Sequence, residues 1–267
     1  MSLLEYSKCE NFHKVIKRAM IACETNNNKV SGHFSEFRKT VDKTTEHDII
    51  SVEKSKRYYM EKLTIKEFQD KSNIEIIEEL MKKNNGYITS KELDMFDIHR
   101  MYLSIMQEKG IIEKVASGIY IDTNKNKDSY YVFGLSMPNV IFSHMTALYF
   151  HGLSTKEPNG VYDITVKRSY SSVHLRKHNV FYVDNDIYEL GLIEIETPMG
   201  NKVKVYDVER CICDIIRSKN RMDLELIKHS VREYIKRKDK DLVRLSLYAE
   251  KLGIKEVVMD YVGMMYE

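Results

Sequence analysis

Residues 73–122 read NIEIIEELMKKNNGYITSKELDMFDIHRMYLSIMQEKGIIEKVASGIYID, and this stretch decides the fold. Ile74, Ile77, Leu80 and Met81 recur at helical spacing over 73–84, and Ile76 thickens the stripe. Asn73 is expected to cap that helix. Asn84-Asn85-Gly86 stops it, with Gly86 suited to a left-handed end. Tyr87-Ile88-Thr89 is an extended step. Ser90 is the expected cap of a short helix over 91–95, and Asp97 that of a third helix over 98–109 that ends at Gly110. Ile111–Val115 reads as a strand, Ala116-Ser117-Gly118 as a turn and Ile119-Tyr120-Ile121 as the returning strand. Helix, short helix, helix and two-strand ribbon is the order of a winged helix-turn-helix.

That order points to DNA, because the third helix of such a unit enters the major groove with its first turns at the base edges. Ile98, Met101 or Tyr102, Ile105 and Met106, flanked by Leu103, would pack inward. His99, Arg100 and Tyr102, then Ser104 and Gln107, would point out. Arg100 can offer a fork to guanine O6 and N7. Ser90 and Lys91 stand where the preceding helix would meet a phosphate, and Lys114 and Ser117 would set the wing against the backbone. Two points weigh against DNA. Winged helices also bind proteins, and residues 73–122 hold 6 Lys and Arg against 9 Asp and Glu, net −3. Phosphate contact dominates DNA affinity, so that charge is an objection. Three of the acids (Glu75, Glu78 and Glu79) lie on the first helix, which can face away.

Outward from this stretch, 267 residues favour two domains. The 43% hydrophobic and 31% charged composition excludes a disordered chain, and 3 Pro with 11 Gly excludes collagen-like and Pro-rich classes. Net charge is +2 from 42 basic and 40 acidic residues, so the total says nothing about nucleic acid. No apolar run reaches the length needed to span a bilayer. The start, Met1-Ser2-Leu3-Leu4-Glu5-Tyr6, lacks the basic region of a secretory signal, so a cytoplasmic protein without membrane partner is expected. Cys9, Cys23, Cys211 and Cys213 make no disulfide frame, and reduced, half-buried thiols are expected.

Residues 1–72 form an N-terminal extension, helical or partly disordered. Phe12, Val15, Ile16, Ala19, Met20 and Cys23 suggest an amphipathic helix over 8–24. Residues 123–267 read as a mixed α/β domain with a helical end. From Pro138, Ile141, Met145, Leu148 and Tyr149 make a helical stripe closed at Gly152. Strands are expected at 162–166, 180–183, 192–196 and 202–206, the last two joined by the Pro198–Asn201 turn. Helices are expected at 207–218, 223–237, 239–252 and 254–264, the first three capped by Asp207, Asp223 and Asp239. The fold class is thus α+β in two domains, winged helix first, with an extra N-terminal extension.

Catalytic signatures are sparse. Asp163, Asp184, Asp186, Glu194 and Glu196 lie on or beside strands, but the lysine of a D…(D/E)-x-K nuclease is missing, so exposed strand carboxylates are expected. His144 and His151 are seven apart, too far for an H-x-x-x-H metal pair. No phosphate-cradling glycine loop and no nucleophile elbow occurs. No enzyme, cofactor or metal is expected. Basic runs at Lys167-Arg168, Arg176-Lys177, Arg217, Lys219 and Arg221, and Lys236-Arg237-Lys238 suggest either solvated faces or a patch for an anionic partner.

Four stretches carry a family resemblance. Besides residues 86–121 they are FSHMTALYFHGL at 142–153 and YDVERCICDIIR at 206–217, with TPMGNK at 197–202 between them. Over about residues 74–265 the chain resembles the AbiEi antitoxins of type IV, abortive-infection toxin–antitoxin systems. Cys211 stands where threonine is expected. The resemblance implies a repressor that binds inverted repeats in its own promoter, double-stranded DNA, through the winged helix. It also implies an antitoxin domain opposing a nucleotidyltransferase toxin without a stable complex. His99, Arg100 and Tyr102 then become base readers, and the C-terminal basic residues candidates for antitoxicity. The alternative is a nucleic-acid-processing enzyme with a winged-helix specificity domain.

Overall fold

A capping box opens the structure, a computed structural model that describes residues 72–265. The Ser72 hydroxyl accepts the Glu75 N–H while the Glu75 carboxylate accepts the Ser72 N–H, so Ser72, not Asn73, caps helix α1 (Asn73–Lys83). The expected helix over 8–24 and the rest of residues 1–71 lie outside the described residues. Those described form a mixed α/β arrangement of ten α-helices and two sheets within one compact unit. None of the helices described is long and apolar enough to cross a membrane.

The first sheet is built within residues 73–122. After α1 come β1 (Tyr87–Thr89), α2 (Ser90–Met95), α3 (Met101–Glu108), β2 (Ile112–Ala116) and β3 (Ile119–Asp122). All three strands are antiparallel in the order β1-β3-β2. Ile77, Leu80, Ile88, Leu93, Leu103 and Met106 bury together beneath α1–α3. Leu103 lies in that core rather than on its flank, and Met101 is 51% exposed.

Two helix starts differ from expectation. Thr89, not Ser90, caps α2, because its hydroxyl accepts the Glu92 N–H and Glu92 answers on the Thr89 N–H. Asp97 does not cap α3. It sits in the left-handed region (φ 53°) two residues past the end of α2, and the Ile98 N–H returns to the Leu93 carbonyl at 2.9 Å. This Schellman end buries Ile98 beside Leu93, so α3 starts only at Met101.

The second sheet has the order β6-β5-β4-β8-β7, from β4 (Ile141–Phe142), β5 (Asp163–Lys167), β6 (Asn179–Val183), β7 (Leu192–Glu196) and β8 (Lys202–Tyr206). β5 runs parallel to β6 and β4 parallel to β8, while the other neighbours are antiparallel. Ile141 therefore lies on a strand, not on the expected helix, because Ile141 and Phe142 are buried in the sheet's middle and paired with β5, Phe142 also with Val205 of β8. The helix, α5 (His144–Phe150), follows it. Sequence periodicity does not show two α-helices and two 3-10 turns: α4 (Ser129–Ser136), the turn Val173–Lys177, α6 (Asn185–Tyr188) and the turn Lys219–Arg221.

Helix α7 (Val208–Arg217) is the hub. Val208 through Ile216 are all buried, so this helix meets protein on every side. Around it pack α5, α8 (Leu224–Lys236), α9 (Leu242–Lys251) and α10 (Lys255–Gly263). Asp207 and Asp223 cap α7 and α8. Asp241 caps α9 in place of Asp239, whose carboxylate is held by Arg237 at 2.7 Å. Cys211 and Cys213 are free thiols, fully rather than half buried. Burial on all sides also traps charge. The fully buried Arg210 reaches the Asp214 carboxylate from Nε at 3.0 Å and the Ile187 and Leu190 carbonyls from Nη1 at 2.7 and 3.0 Å. Its plane stacks over Tyr206.

The segment between the sheets is bolted down. Asp128 is buried; its Oδ1 accepts the Tyr130 and Tyr131 N–H groups that open α4. Its Oδ2 accepts the Thr197 hydroxyl and the Asn201 amide at 2.5 and 2.7 Å. Its own N–H donates to the Tyr87 hydroxyl at 2.7 Å. Asn85 donates to the Met199 carbonyl and to Asn201 Oδ1, both at 3.1 Å.

The two histidines of the family-like stretch serve packing. His144, buried and left-handed (φ 45°), stacks on Phe181 and lies 2.9 and 3.0 Å from the Ser143 and Ser218 hydroxyls. His151 donates from Nε2 to the Tyr206 carbonyl at 2.7 Å. Burial, aided by nearby arginines, holds the His144 imidazole well below its ordinary range, and burial also lowers His151.

Replacing Asp128 by alanine removes a helix cap and leaves a buried hydroxyl and amide unpaired. The urea midpoint should fall by the equivalent of about 2–4 kcal/mol, with an unchanged m-value. The lowered histidines fix a pH dependence. Their neutral forms fit the fold, so their contribution is complete above pH 6.5. Below it the unfolded chain takes up protons that the folded chain refuses, so stability falls from pH 6.5 to 5. Each histidine supplies up to about 1.4 kcal/mol per pH unit. His144→Gln should flatten that slope in pH-dependent urea melts; an unchanged slope removes His144 as a source.

Candidate nucleic-acid interface

Six of the eight residues expected at DNA line one cleft. Ser90, Lys91, Arg100, Ser104, Lys114 and Ser117 border a space of about 480 Å³, completed by Thr89, Tyr120 and the α4 residues Leu135 and Ser136. Strand pairing explains the convergence. Thr89 pairs with Ile119, and the Ser90 N–H donates to the Gly118 carbonyl at 2.8 Å. The start of α2 is thereby fastened to the turn of the β2–β3 ribbon. Gly118 has φ 68°, and a Cβ there would lie 3.3 Å from Ser90 Oγ, so the turn and α2 meet at glycine. The register shifts between Lys114 and Ala116, a bulge that leaves Lys114 opposite Tyr120.

Arg100 enters from the other side. It precedes α3 with helical backbone, and its side chain is 62% exposed. Asp94, in the last turn of α2, takes the guanidinium from Nε at 3.0 Å and Nη2 at 2.5 Å. Arg100 in turn holds the Asp94 carboxyl below its ordinary range through that hydrogen bond. An exposed pair of this kind contributes little to stability. His99 lies outside the main cleft, in a neighbouring hollow with Asp94, Asp97 and Arg100. Its Nδ1 accepts the Met101 N–H at 3.1 Å, so the ring caps α3 and Nε2 is left to face outward contacts. Tyr102 does not border the cleft. It is half-buried against the α1–α3 core, on the inward flank of α3 beside Leu103 and Met106.

Sequence reading missed Asp94, Thr89 and the α4 wall. Asp94 was counted only as an unfavourable acid. The α4 wall was signalled by Asp128-Ser129 before an apolar run, a helix start.

The C-terminal basic residues spread over several elements, and many are engaged. Lys167 lies over the Tyr188 ring, and Arg168 pairs with Asp184 at 2.9 Å. Arg176 and Lys177 are exposed just before β6, and Arg221 reaches the Val180 carbonyl and covers Phe181. Arg217, Lys219 and Lys238 are exposed; Lys236 pairs with Glu233 at 2.7 Å. Arg237 is held by Asp239 and by the His151 carbonyl.

The strand carboxylates do not meet. Asp163 is buried, contrary to expectation, because it serves α5: Oδ2 accepts the Met145 N–H at 3.1 Å and Oδ1 the Asn179 amide at 2.7 Å. Burial raises its pKa. Glu194 and Glu196 are exposed on β7, opposite Lys204 and Lys202. β5 and β7 are separated by β4 and β8, which places them about 14 Å apart at ordinary strand spacing. Among the described residues no group of three or more His, Cys, Asp or Glu is placed to hold a metal ion.

No family model and no curated protein matches the chain. Among solved structures, that of the RV2827C protein from Mycobacterium tuberculosis is similar at 10% identity and a TM-score of 0.40, over 70% of this chain and 79% of that one.

Gly118→Ala should cost roughly 1–2 kcal/mol for a left-handed alanine. It should also shift the Ser90 and Lys91 amide resonances, which Gly110→Ala, with open space around it, should leave in place.

Proposed function

We propose that residues 73–122 act as a winged helix-turn-helix that binds double-stranded DNA, in particular inverted repeats in the chain's own promoter. The observation that carries this reading is the convergence of Ser90, Lys91, Arg100, Ser104, Lys114 and Ser117 on one cleft between α2, the start of α3 and the β2–β3 turn. In this reading α3 enters the major groove, Arg100 contacts bases, and the ribbon grips the adjacent backbone through Lys114 and Ser117. The net −3 charge of the segment is compatible with this. Lys91, Arg100 and Lys114 share the cleft, while Glu75, Glu78 and Glu79 belong to α1, none of whose residues borders it.

The resemblance to AbiEi antitoxins supports the wider proposal: a cytoplasmic repressor of its own operon, without catalytic activity. Residues 123–267 then oppose a nucleotidyltransferase toxin without forming a stable complex. The separation of Asp163 from Glu194 favours this over a nucleic-acid-processing enzyme, since a metal-dependent nuclease needs its carboxylates together.

Binding of the full chain to duplex DNA from upstream of its gene, against unrelated duplex and over a salt series, tests the reading. Arg100→Ala should weaken binding to the upstream duplex by about 5- to 100-fold without changing the melting curve. Lys114→Ala should weaken both duplexes alike and reduce the salt slope by about one. Equal affinity for both duplexes in the unaltered chain overturns the repressor assignment.

A further inference from the structure

We propose that Asp94 is a positioning residue that aims Arg100 at guanine and so sets base preference in the cleft. This inference rests on the DNA-binding reading above.

A guanidinium has two edges that can make paired hydrogen bonds. One is Nε with Nη2, the other Nη1 with Nη2, and either matches a carboxylate or the O6 and N7 pair of guanine. Asp94 takes the first edge with both its oxygens, Oδ1 from Nε and Oδ2 from Nη2. The end-on edge keeps both Nη1 protons and one on Nη2, and among the described residues no acceptor meets Nη1. The pair thus leaves free the edge that can read guanine at the tip of a side chain.

The backbone under both residues is fixed. Asp94 lies in the last turn of α2 and its carbonyl accepts the Asp97 N–H. Ile98, buried beside Leu93, locks the turn that follows. Arg100 carries the Leu103 N–H on its carbonyl at 3.0 Å. Between these anchors the carboxylate holds the guanidinium in one orientation at the cleft, so the rotamer freedom that a free arginine loses on meeting a base is already given up. Asp94 has a second effect of opposite sign. Its negative charge stands beside a cleft that faces phosphates, which disfavours binding without sequence match. One residue then raises affinity for the right sequence and lowers it for the wrong one.

The test is a double-mutant cycle on the full chain with three duplexes. These are the upstream sequence, an unrelated sequence, and the upstream sequence with guanine replaced by 7-deazaguanine, which lacks N7. Asp94→Ala should hold or raise affinity for unrelated DNA and cut the upstream-over-unrelated ratio by about tenfold. Its sensitivity to 7-deazaguanine should fall with that ratio. In an Arg100→Ala background Asp94→Ala should leave the ratio unchanged, because the residue acts only through the arginine. Asp94→Glu, which keeps a carboxylate, should recover part of the ratio.

The inference is overturned if Asp94→Ala strengthens binding to both duplexes equally, which would make Asp94 a competitor for Arg100. It is also overturned if the ratio falls as much in the Arg100→Ala background, which would make its role structural. Lack of upstream preference in the unaltered chain is a different failure. It removes the repressor reading, and this inference with it, whereas preference retained with no coupling removes this inference alone.

Discussion

One carboxylate ties the cleft to the rest of the protein. Asp128 caps α4, takes the Thr197 and Asn201 donors from the β7–β8 turn, and gives its own N–H to Tyr87 at the start of β1. These partners belong to three different elements. Because Asp128 is buried, no water can replace a missing partner, so the three elements keep their mutual placement or lose several hydrogen bonds together. The apolar contacts follow from that placement. Tyr87, Ile119, Ile121 and Val132 close over one another, with Tyr131 and Leu135 at their edge. Leu135 and Ser136 then reach the cleft itself, so one wall of the proposed DNA site is supplied from beyond the ribbon.

The second constraint is the burial of α7. A helix with no exposed face is well suited to a core, but Glu209, Arg210 and Asp214 lie on it. Each is matched. Glu209 accepts from the Tyr234 hydroxyl and the Asp241 N–H, which brings α8 and the start of α9 against α7. Arg210 holds α6 and the loop before β7 through the Ile187 and Leu190 carbonyls. The charges thus dictate which elements surround the helix, at a desolvation cost that plain apolar packing would avoid.

Much of this was legible in the sequence wherever periodicity and punctuation agreed. The ribbon, the β7–β8 hairpin and the Asp207 and Asp223 caps follow from local signals, and the structure places them within a residue or two. In two of the departures a long-range partner outbid a local one, and in a third one local signal outbid another. Asp163 looked like an exposed strand carboxylate, but it caps a helix eighteen residues before it. Ile141 fitted a helical stripe, but strand β5 claimed it through Thr165. Asp97 had the chemistry of a cap, yet the burial of Ile98 turned it into the end of the preceding helix. At the cleft, residue types were readable, since hydroxyls and cations at helix starts and turns suggest phosphate and base contact. The Asp94 clasp was not, because whether a charge pairs or repels depends on side-chain direction, which spacing does not give.

The bulge in β2 carries a consequence of its own. A regular strand alternates sides, and each insertion or deletion of one residue reverses every side chain beyond it. Here two residues of β2, Val115 and Ala116, stand where the partner strand advances by one. The ribbon's two arms therefore differ by one residue, and Lys114 and Ser117 both stand at the cleft's edge. Along a lineage, such a ribbon can change its residues freely but its length only in compensated steps. Related chains should differ here by substitutions, or by paired gains and losses on both arms, and not by single-residue gaps.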